Sequence, residues 1–123
     1  MRITQLNHVA LHVADVDRSV RFYRDTLGLD QIDRPAFDFP GAWFRLGADQ
    51  ELHLIGRDAP SASGDFSPPH ERHFAFKVED IDAASRELAE QDIEHRGPAP
   101  RPDGAKQIFL RDPDGHVVEL CQL

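Results

Sequence analysis

The stretch HVALHVADVD at His8–Asp17 recurs 65 residues later as HFAFKVEDID at His73–Asp82. Five of the ten positions are identical, and three of the other five exchange one apolar residue for another. Self-similarity at a fixed spacing indicates two copies of one structural unit. We therefore predict that residues 1–123 form a single domain of two modules, at about residues 6–56 and 73–123. A linker rich in Pro and Ser joins them at about residues 57–72.

Composition excludes several classes of protein. The 123 residues are 40% hydrophobic and carry a formal net charge of −8, which is typical of an ordinary globular domain. An acidic chain without a cluster of Lys and Arg is not expected to bind nucleic acid. Apolar runs are too short to span a membrane, the N-terminus lacks the apolar core of a signal peptide, and the single Cys121 excludes an internal disulfide. These features predict a cytoplasmic protein without a membrane partner.

Each copy opens with a predicted β-strand whose two faces differ. Alternation places apolar residues on one face, and His8 or His73 with its i+2 neighbours on the other. The apolar face is predicted to pack under a helix, which leaves the histidine face to line a cavity. The apolar positions are Val9, Leu11, Val13, Phe74, Phe76 and Val78.

A helix is predicted after each opening strand. Asp15 or Asp17 can cap the first helix and Asp80 or Asp82 the second. Gly28 lies where a left-handed residue would end the first helix. The apolar stripes at helical spacing are Val16, Val20, Tyr23 and Leu27 in the first helix, and Ile81, Ala84 and Leu88 in the second.

Three more strands are predicted in each copy, so that both copies have the order βαβββ. A Pro-rich segment, Gly97–Gly104, is predicted as a loop. The predicted strands are Leu29–Asp33, Ala42–Leu46 and Glu51–Ile55 in the first copy, and Ile93–Arg96, Lys106–Arg111 and His116–Gln122 in the second.

Four side chains that can bind a metal occupy equivalent positions in the two copies. His8 matches His73, and His53 corresponds to Glu119 at an offset of 66, because the apolar neighbours of the two last strands align. An ionised carboxylate among apolar neighbours, as at Glu119, needs a partner or a metal. We predict that these four residues hold one divalent metal ion, namely Zn²⁺, Ni²⁺, Mn²⁺ or Fe²⁺. Glu51, on the same face as His53, is the competing ligand.

Other side chains on the cavity side are candidates for substrate contact. Trp43 and Arg45 share one strand face, and Arg45 can hold a carboxylate or phosphate, although an exposed surface arginine is an equal alternative. His12 and Lys77 are in the cavity-side register of the two opening strands. Cys121 is predicted to be buried and inert.

The repeat, NHVALHVADVDRSVRFYRDTLGL at 7–29 and DPDGHVVEL at 112–120 resemble the vicinal oxygen chelate superfamily over nearly the whole chain. That family includes glyoxalase I, fosfomycin-resistance thiol transferases, extradiol dioxygenases and methylmalonyl-CoA epimerase. The resemblance implies an α+β fold in which two βαβββ modules form a cupped mixed β-sheet with helices outside, around a divalent metal. It implies His8, His73 and Glu119 as ligands. The remaining position is commonly a glutamate in bacterial glyoxalase I, whereas this chain has His53.

By this resemblance, the first functional hypothesis is a metal-dependent lyase or isomerase like glyoxalase I, with Glu119 as the catalytic base. The alternatives are an extradiol-type dioxygenase, a fosfomycin-type thiol transferase and a non-enzymatic drug-binding protein. The resemblance also implies a homodimer in which His8 and His53 of one chain meet His73 and Glu119 of its partner. Pairing of both modules within one chain is the alternative.

Overall fold

A computed structural model of the chain describes residues 1–59 and 71–123. Two compact units are found, Met1–Pro60 and Ser61–Leu123. The central part of the predicted linker, residues 60–70, lies outside the described residues. In the part that is described, no helix has the length and apolar character needed to cross a membrane.

The first unit is a four-stranded sheet with one helical segment. Its strands have the order β1-β4-β3-β2, with β1 parallel to β4 and the other pairs antiparallel. The elements are β1 (His8–Val13), α1 (Val16–Val20) with a π-helical continuation (Arg21–Thr26), β2 (Asp30–Ile32), β3 (Gly41–Leu46) and β4 (Gln50–Gly56).

The second unit repeats this topology, with the order β5-β8-β7-β6 and a parallel β5–β8 pair. The predicted βαβββ order and the α+β class are therefore confirmed in both modules. The elements are β5 (His73–Lys77), α2 (Ile81–Glu90), β6 (His95–Pro100), β7 (Lys106–Arg111) and β8 (Val117–Gln122).

The core of each unit is the apolar face of its sheet together with the buried side of its helix. In β3 and β4 alternate residues are buried and the side chains between them are half-buried, whereas in β7 and β8 the consecutive residues 108–110 and 117–120 are buried on both faces. In both sheets the metal-competent residues lie on the face opposite the apolar core. Fully buried apolar residues include Val13, Tyr23, Phe44, Leu52 and Leu54 in the first unit, and Ile81, Ile108, Leu110 and Val118 in the second.

The first helix departs from the predicted stripe. Leu27 N donates to Phe22 O at 3.0 Å, a bond five residues back along the chain, so the last turns are π-helical. In this segment Phe22 is buried, although it is not part of the predicted stripe, and Leu27 is half-buried, contrary to the prediction. Asp15 caps the helix through a 3.0 Å bond from Arg18 N, and Gly28 has the predicted left-handed backbone with φ of 75°.

The predicted loop Gly97–Gly104 is wrong over its first four residues, because Gly97–Pro100 belong to β6. β6 is an edge strand, where a proline without an N–H removes no hydrogen bond from an inner ladder. The register of β6 against β7 shifts between Arg96 and Ala99, so the strand accommodates its prolines through an irregularity.

We expect Asp80→Ala to lower the free energy of unfolding by about 1 kcal/mol, because it removes an N-cap. Asp80 Oδ1 accepts a 2.9 Å hydrogen bond from Ala83 N at the start of α2. Urea unfolding followed by circular dichroism measures the loss. The control is Glu87→Ala, an exposed position of the same helix. Equal stability of the two variants would contradict the capping role.

Candidate metal site

The first and last strands of each module are neighbours, which brings residues distant in sequence together. In the β1–β4 pair Ala10 lies opposite His53, and in the β5–β8 pair Ala75 lies opposite Glu119. His53 and Glu119 therefore occupy equivalent places in the two sheets, as the sequence offsets predict. Parallel pairing of strands that are not consecutive along the chain produces this equivalence.

In the first unit, His8 and His53 lie together on the open face of the sheet. Their rings stack with centroids 4.3 Å apart, and His53 also stacks on Trp43 at 3.9 Å and an interplanar angle of 3°. His8 Nδ1 is 2.8 Å from Asn7 Oδ1, an oxygen that only accepts, so the Nε2 lone pair of a neutral His8 remains available.

Glu51, the competing ligand in the sequence, contacts His53 directly. Its Oε2 lies 2.7 Å from His53 Nε2, and both side chains are largely buried. When Nε2–H donates to this carboxylate, the lone pair of a neutral His53 is on Nδ1. The first unit therefore offers either His53 oriented by Glu51 or Glu51 itself as an oxygen donor.

In the second unit, His73 lies against the buried carboxylate of Glu119. Glu119 is only 4% exposed, and its Oε2 lies 3.1 Å from His73 Nε2. Gln107 Nε2 donates to the other carboxylate oxygen at 2.8 Å. His73 Nδ1 in turn lies 2.8 Å from the backbone carbonyl of Glu71.

The second pair fits a metal ion by the chemistry of its donors. The Glu71 carbonyl can only accept, so His73 carries a proton on Nδ1. A neutral His73 then directs its Nε2 lone pair at an oxygen of Glu119, and a proton or a cation must lie between two such acceptors. An imidazole whose other nitrogen donates to a backbone carbonyl is the usual arrangement of a metal-binding histidine.

Two residues that support the site, Gln107 and Arg111, were not predicted from the sequence. Gln107 is a polar residue beside the apolar run of β7, which is the one local signal that could have identified it. Arg111 donates to Glu71 Oε1 at 3.0 Å and to Gly115 O at 2.9 Å, and so holds the residue whose carbonyl orients His73. Both contacts depend on packing between distant segments of the chain.

The residues predicted to touch substrate remain on the expected strands. Trp43 and Arg45 are half-buried on β3, and His12 and Lys77 are exposed on β1 and β5. Trp43 is the one of these that stacks on a candidate ligand, His53. Their contact with a substrate stays a prediction.

Cys121 is half-buried, so the prediction that it is buried is wrong. Partial burial, and after it the negative charge of Glu119, raise the pKa of the Cys121 thiol. A thiol with a raised pKa remains protonated at neutral pH and is a poor nucleophile. This environment favours the inert role.

Each unit places two of the four predicted ligands close to each other. Over residues 1–59 and 71–123, neither unit by itself contains a group of three or more His, Cys, Asp or Glu placed to hold a metal. The pairs are His8 with His53, and His73 with Glu119.

Comparisons with known proteins point to enzymes of one superfamily. "Glyoxylase I 4" of Arabidopsis thaliana is 31% identical over 98% of this chain and 72% of its own length. "Probable lactoylglutathione lyase" of Synechocystis sp. is 31% identical over 95% of this chain and 94% of its own. A relative of another activity, the human mitochondrial methylmalonyl-CoA epimerase, is 30% identical over 96% of this chain and 73% of its own.

A solved structure has the same fold. The lactoylglutathione lyase of Agrobacterium tumefaciens superposes with a TM-score of 0.75 and 25% identity, covering 99% of this chain and 96% of its own. The sequence model of the Glyoxalase/Bleomycin resistance protein/Dioxygenase superfamily matches residues 5–120. The chain therefore belongs to this superfamily, the vicinal oxygen chelate superfamily that its repeat resembles.

Proposed function

We propose that the protein is a metal-dependent lyase or isomerase that resembles glyoxalase I and acts on a small substrate chelated through two vicinal oxygens. The observation that carries this proposal is the buried carboxylate of Glu119, whose Oε2 lies 3.1 Å from Nε2 of His73. A carboxylate held in place beside a metal-competent histidine is positioned to take a proton from a substrate chelated there. Relatives named as lactoylglutathione lyases support the reaction class.

The proposed ligands are His8 and His53 from the first module, and His73 and Glu119 from the second. Glu51 is the alternative to His53. A bound divalent cation would polarise the substrate oxygens as a Lewis acid. The donor set of nitrogen and carboxylate oxygen suits Zn²⁺, Ni²⁺, Mn²⁺ or Fe²⁺.

Glu119 is proposed to move the proton. Gln107 fixes Oε1, so Oε2 is the oxygen that would hold the cation at rest. If substrate oxygens replaced it there, Oε2 would be free to take a proton from the carbon beside the substrate carbonyl and return it to the neighbouring carbon. In the first module a histidine occupies the equivalent place. Because Glu119 is the one carboxylate among the four proposed ligands, we expect one stereoisomer of the substrate to react.

His73→Ala is expected to reduce metal content and the melting temperature together. A metal that binds only the folded protein adds about 2.7 kcal/mol at a concentration about 100 times its Kd. Metal analysis and melting curves with and without a chelator give the two readouts. The control is His95→Ala, which loses hydrogen bonds to Ser85 and Ile93 but is not a proposed ligand. If wild-type protein melts at the same temperature with and without metal, the metal proposal fails.

Glu119→Gln is expected to lose proton exchange at the substrate carbon by about 10²–10⁴-fold, the usual effect of removing a general base. The measurement is incorporation of deuterium from D₂O into the CH₂ group of hydroxyacetone, followed by proton NMR. Glu51→Gln is the matched control, because it removes the carboxylate that contacts His53.

Equal exchange in Glu119→Gln and the wild type would exclude Glu119 as the base. Loss in Glu51→Gln alone would transfer the role to Glu51. Absence of exchange in wild-type protein would favour the alternatives, and iron in protein purified without chelator would then select the dioxygenase. If the wild-type protein shows no exchange and contains no iron, the thiol transferase and the drug-binding protein remain as the functions to assay.

We further propose a homodimer in which the first module of one chain completes the site with the second module of its partner. Mixing His8→Ala with Glu119→Ala protein, after reversible unfolding, should restore about a quarter of the wild-type activity. Half of the dimers are then mixed, and each mixed dimer has one of its two sites intact. Mixing His8→Ala with His53→Ala, two changes in the same module, should restore none. No recovery in the first mixture would place each site within one chain.

A further inference from the structure

A row of aromatic rings extends from the candidate ligands of the first unit toward the loop before β3. His53 stacks between His8 and Trp43. Phe37 lies 6.2 Å from Trp43 at an interplanar angle of 49°, and stacks on Phe39 at 5.2 Å and 22°. These five rings, which we call the ring row, come from β1, β4, β3 and the β2–β3 loop.

The outer end of the ring row is exposed although it is apolar. Phe37 is 46% and Phe39 38% exposed, whereas Phe44, in the next strand, is fully buried. Trp43 is half-buried, on the face opposite the helix. Large aromatic side chains held together on a surface indicate a binding site, because their contact with water is unfavourable.

Arg34 fixes the outer rings. Its guanidinium carbon lies 4.9 Å from the centroid of Phe37 and 4.8 Å from that of Phe39, and Nη2 donates to Phe39 O at 2.8 Å. A Cβ at position 41 would lie 3.0 Å from Arg34 Nε, so Gly41 leaves the room that the guanidinium occupies. In the described part of the chain, the buried Nε of Arg34 has no hydrogen-bond partner. The guanidinium therefore holds the loop through Phe39 O and the two phenyl rings.

We propose that the ring row binds an aromatic group carried by the substrate, next to the oxygens that the site chelates. This inference rests on the proposed function, since it places the substrate oxygens at His8 and His53. A substituent on the carbon atoms that carry these oxygens would contact Trp43 first and then Phe37. An aromatic ring gains the stacked and edge-to-face contacts that a methyl group cannot make, and a negative group beside it is attracted to Arg34. The preferred substrate class is thus an aryl-substituted 2-hydroxy or 2-keto compound.

The test compares mandelate with lactate, which share the hydroxyl and carboxylate oxygens and differ in a phenyl or methyl group. Trp43 is the single tryptophan of the chain, so its fluorescence reports occupation of the ring row without turnover. We expect mandelate to bind at least about tenfold more tightly to wild-type protein, in fluorescence and in calorimetry. Equal affinity for the two acids, or no binding of mandelate, would overturn the proposal.

The variant Phe37→Leu keeps an apolar side chain and removes the ring between Trp43 and Phe39. It should bring the mandelate-to-lactate ratio close to one, while Ile3→Ala, an exposed apolar position elsewhere, should leave the ratio unchanged. An unchanged ratio in Phe37→Leu would also overturn the proposal. A preference for mandelate without deuterium exchange would support aromatic binding at the ring row and contradict the lyase function. Deuterium exchange without a preference for mandelate would support the lyase function and contradict aromatic binding at the ring row.

Discussion

The parallel pairing of the first strand of each module with its last strand is the constraint on which the rest of the structure depends. It sets Ala10 opposite His53 and Ala75 opposite Glu119, so that the histidine that opens each module lies near the metal-competent residue that ends it. Small residues at the opposing positions leave room for larger side chains beside them. Strand alternation turns the neighbours of His53 and Glu119 to the other face of each sheet, where Leu52, Leu54, Val118 and Leu120 are buried.

The buried carboxylate of Glu119 connects stability with chemistry. A charge in this position is unfavourable unless hydrogen bonds or a cation compensate it. Gln107 donates to one oxygen and His73 faces the other. Glu71, which Arg111 holds in place, contacts the far side of the His73 ring through its backbone carbonyl. A core built only for stability would have an apolar residue here. Violation of that rule at a supported position is the signature expected of a functional residue.

The two modules have kept one topology and diverged in the chemistry of the open face. The second surrounds a carboxylate with an amide and an imidazole. The first surrounds His53 with aromatic rings and the carboxylate of Glu51. This division of labour agrees with one module moving a proton and the other holding the rest of the substrate. A shared topology of this kind permits such divergence, because function depends on side chains that the core does not need.

The sequence by itself determined the repeat, the βαβββ order and the equivalence of His53 with Glu119, and it limited the cap of the second helix to Asp80 or Asp82, of which the structure selects Asp80. These follow from periodicities along the chain and from one fixed offset. Only the tertiary structure decided the π-helical turn after α1, the strand within the Pro-rich segment at Gly97, the contact of Gln107 with Glu119 and the ring row. Periodicity assigns a residue to a face of its own element. Which side chain it meets on a neighbouring strand depends on register and on the path of the loops, and these are set by packing between segments far apart in sequence.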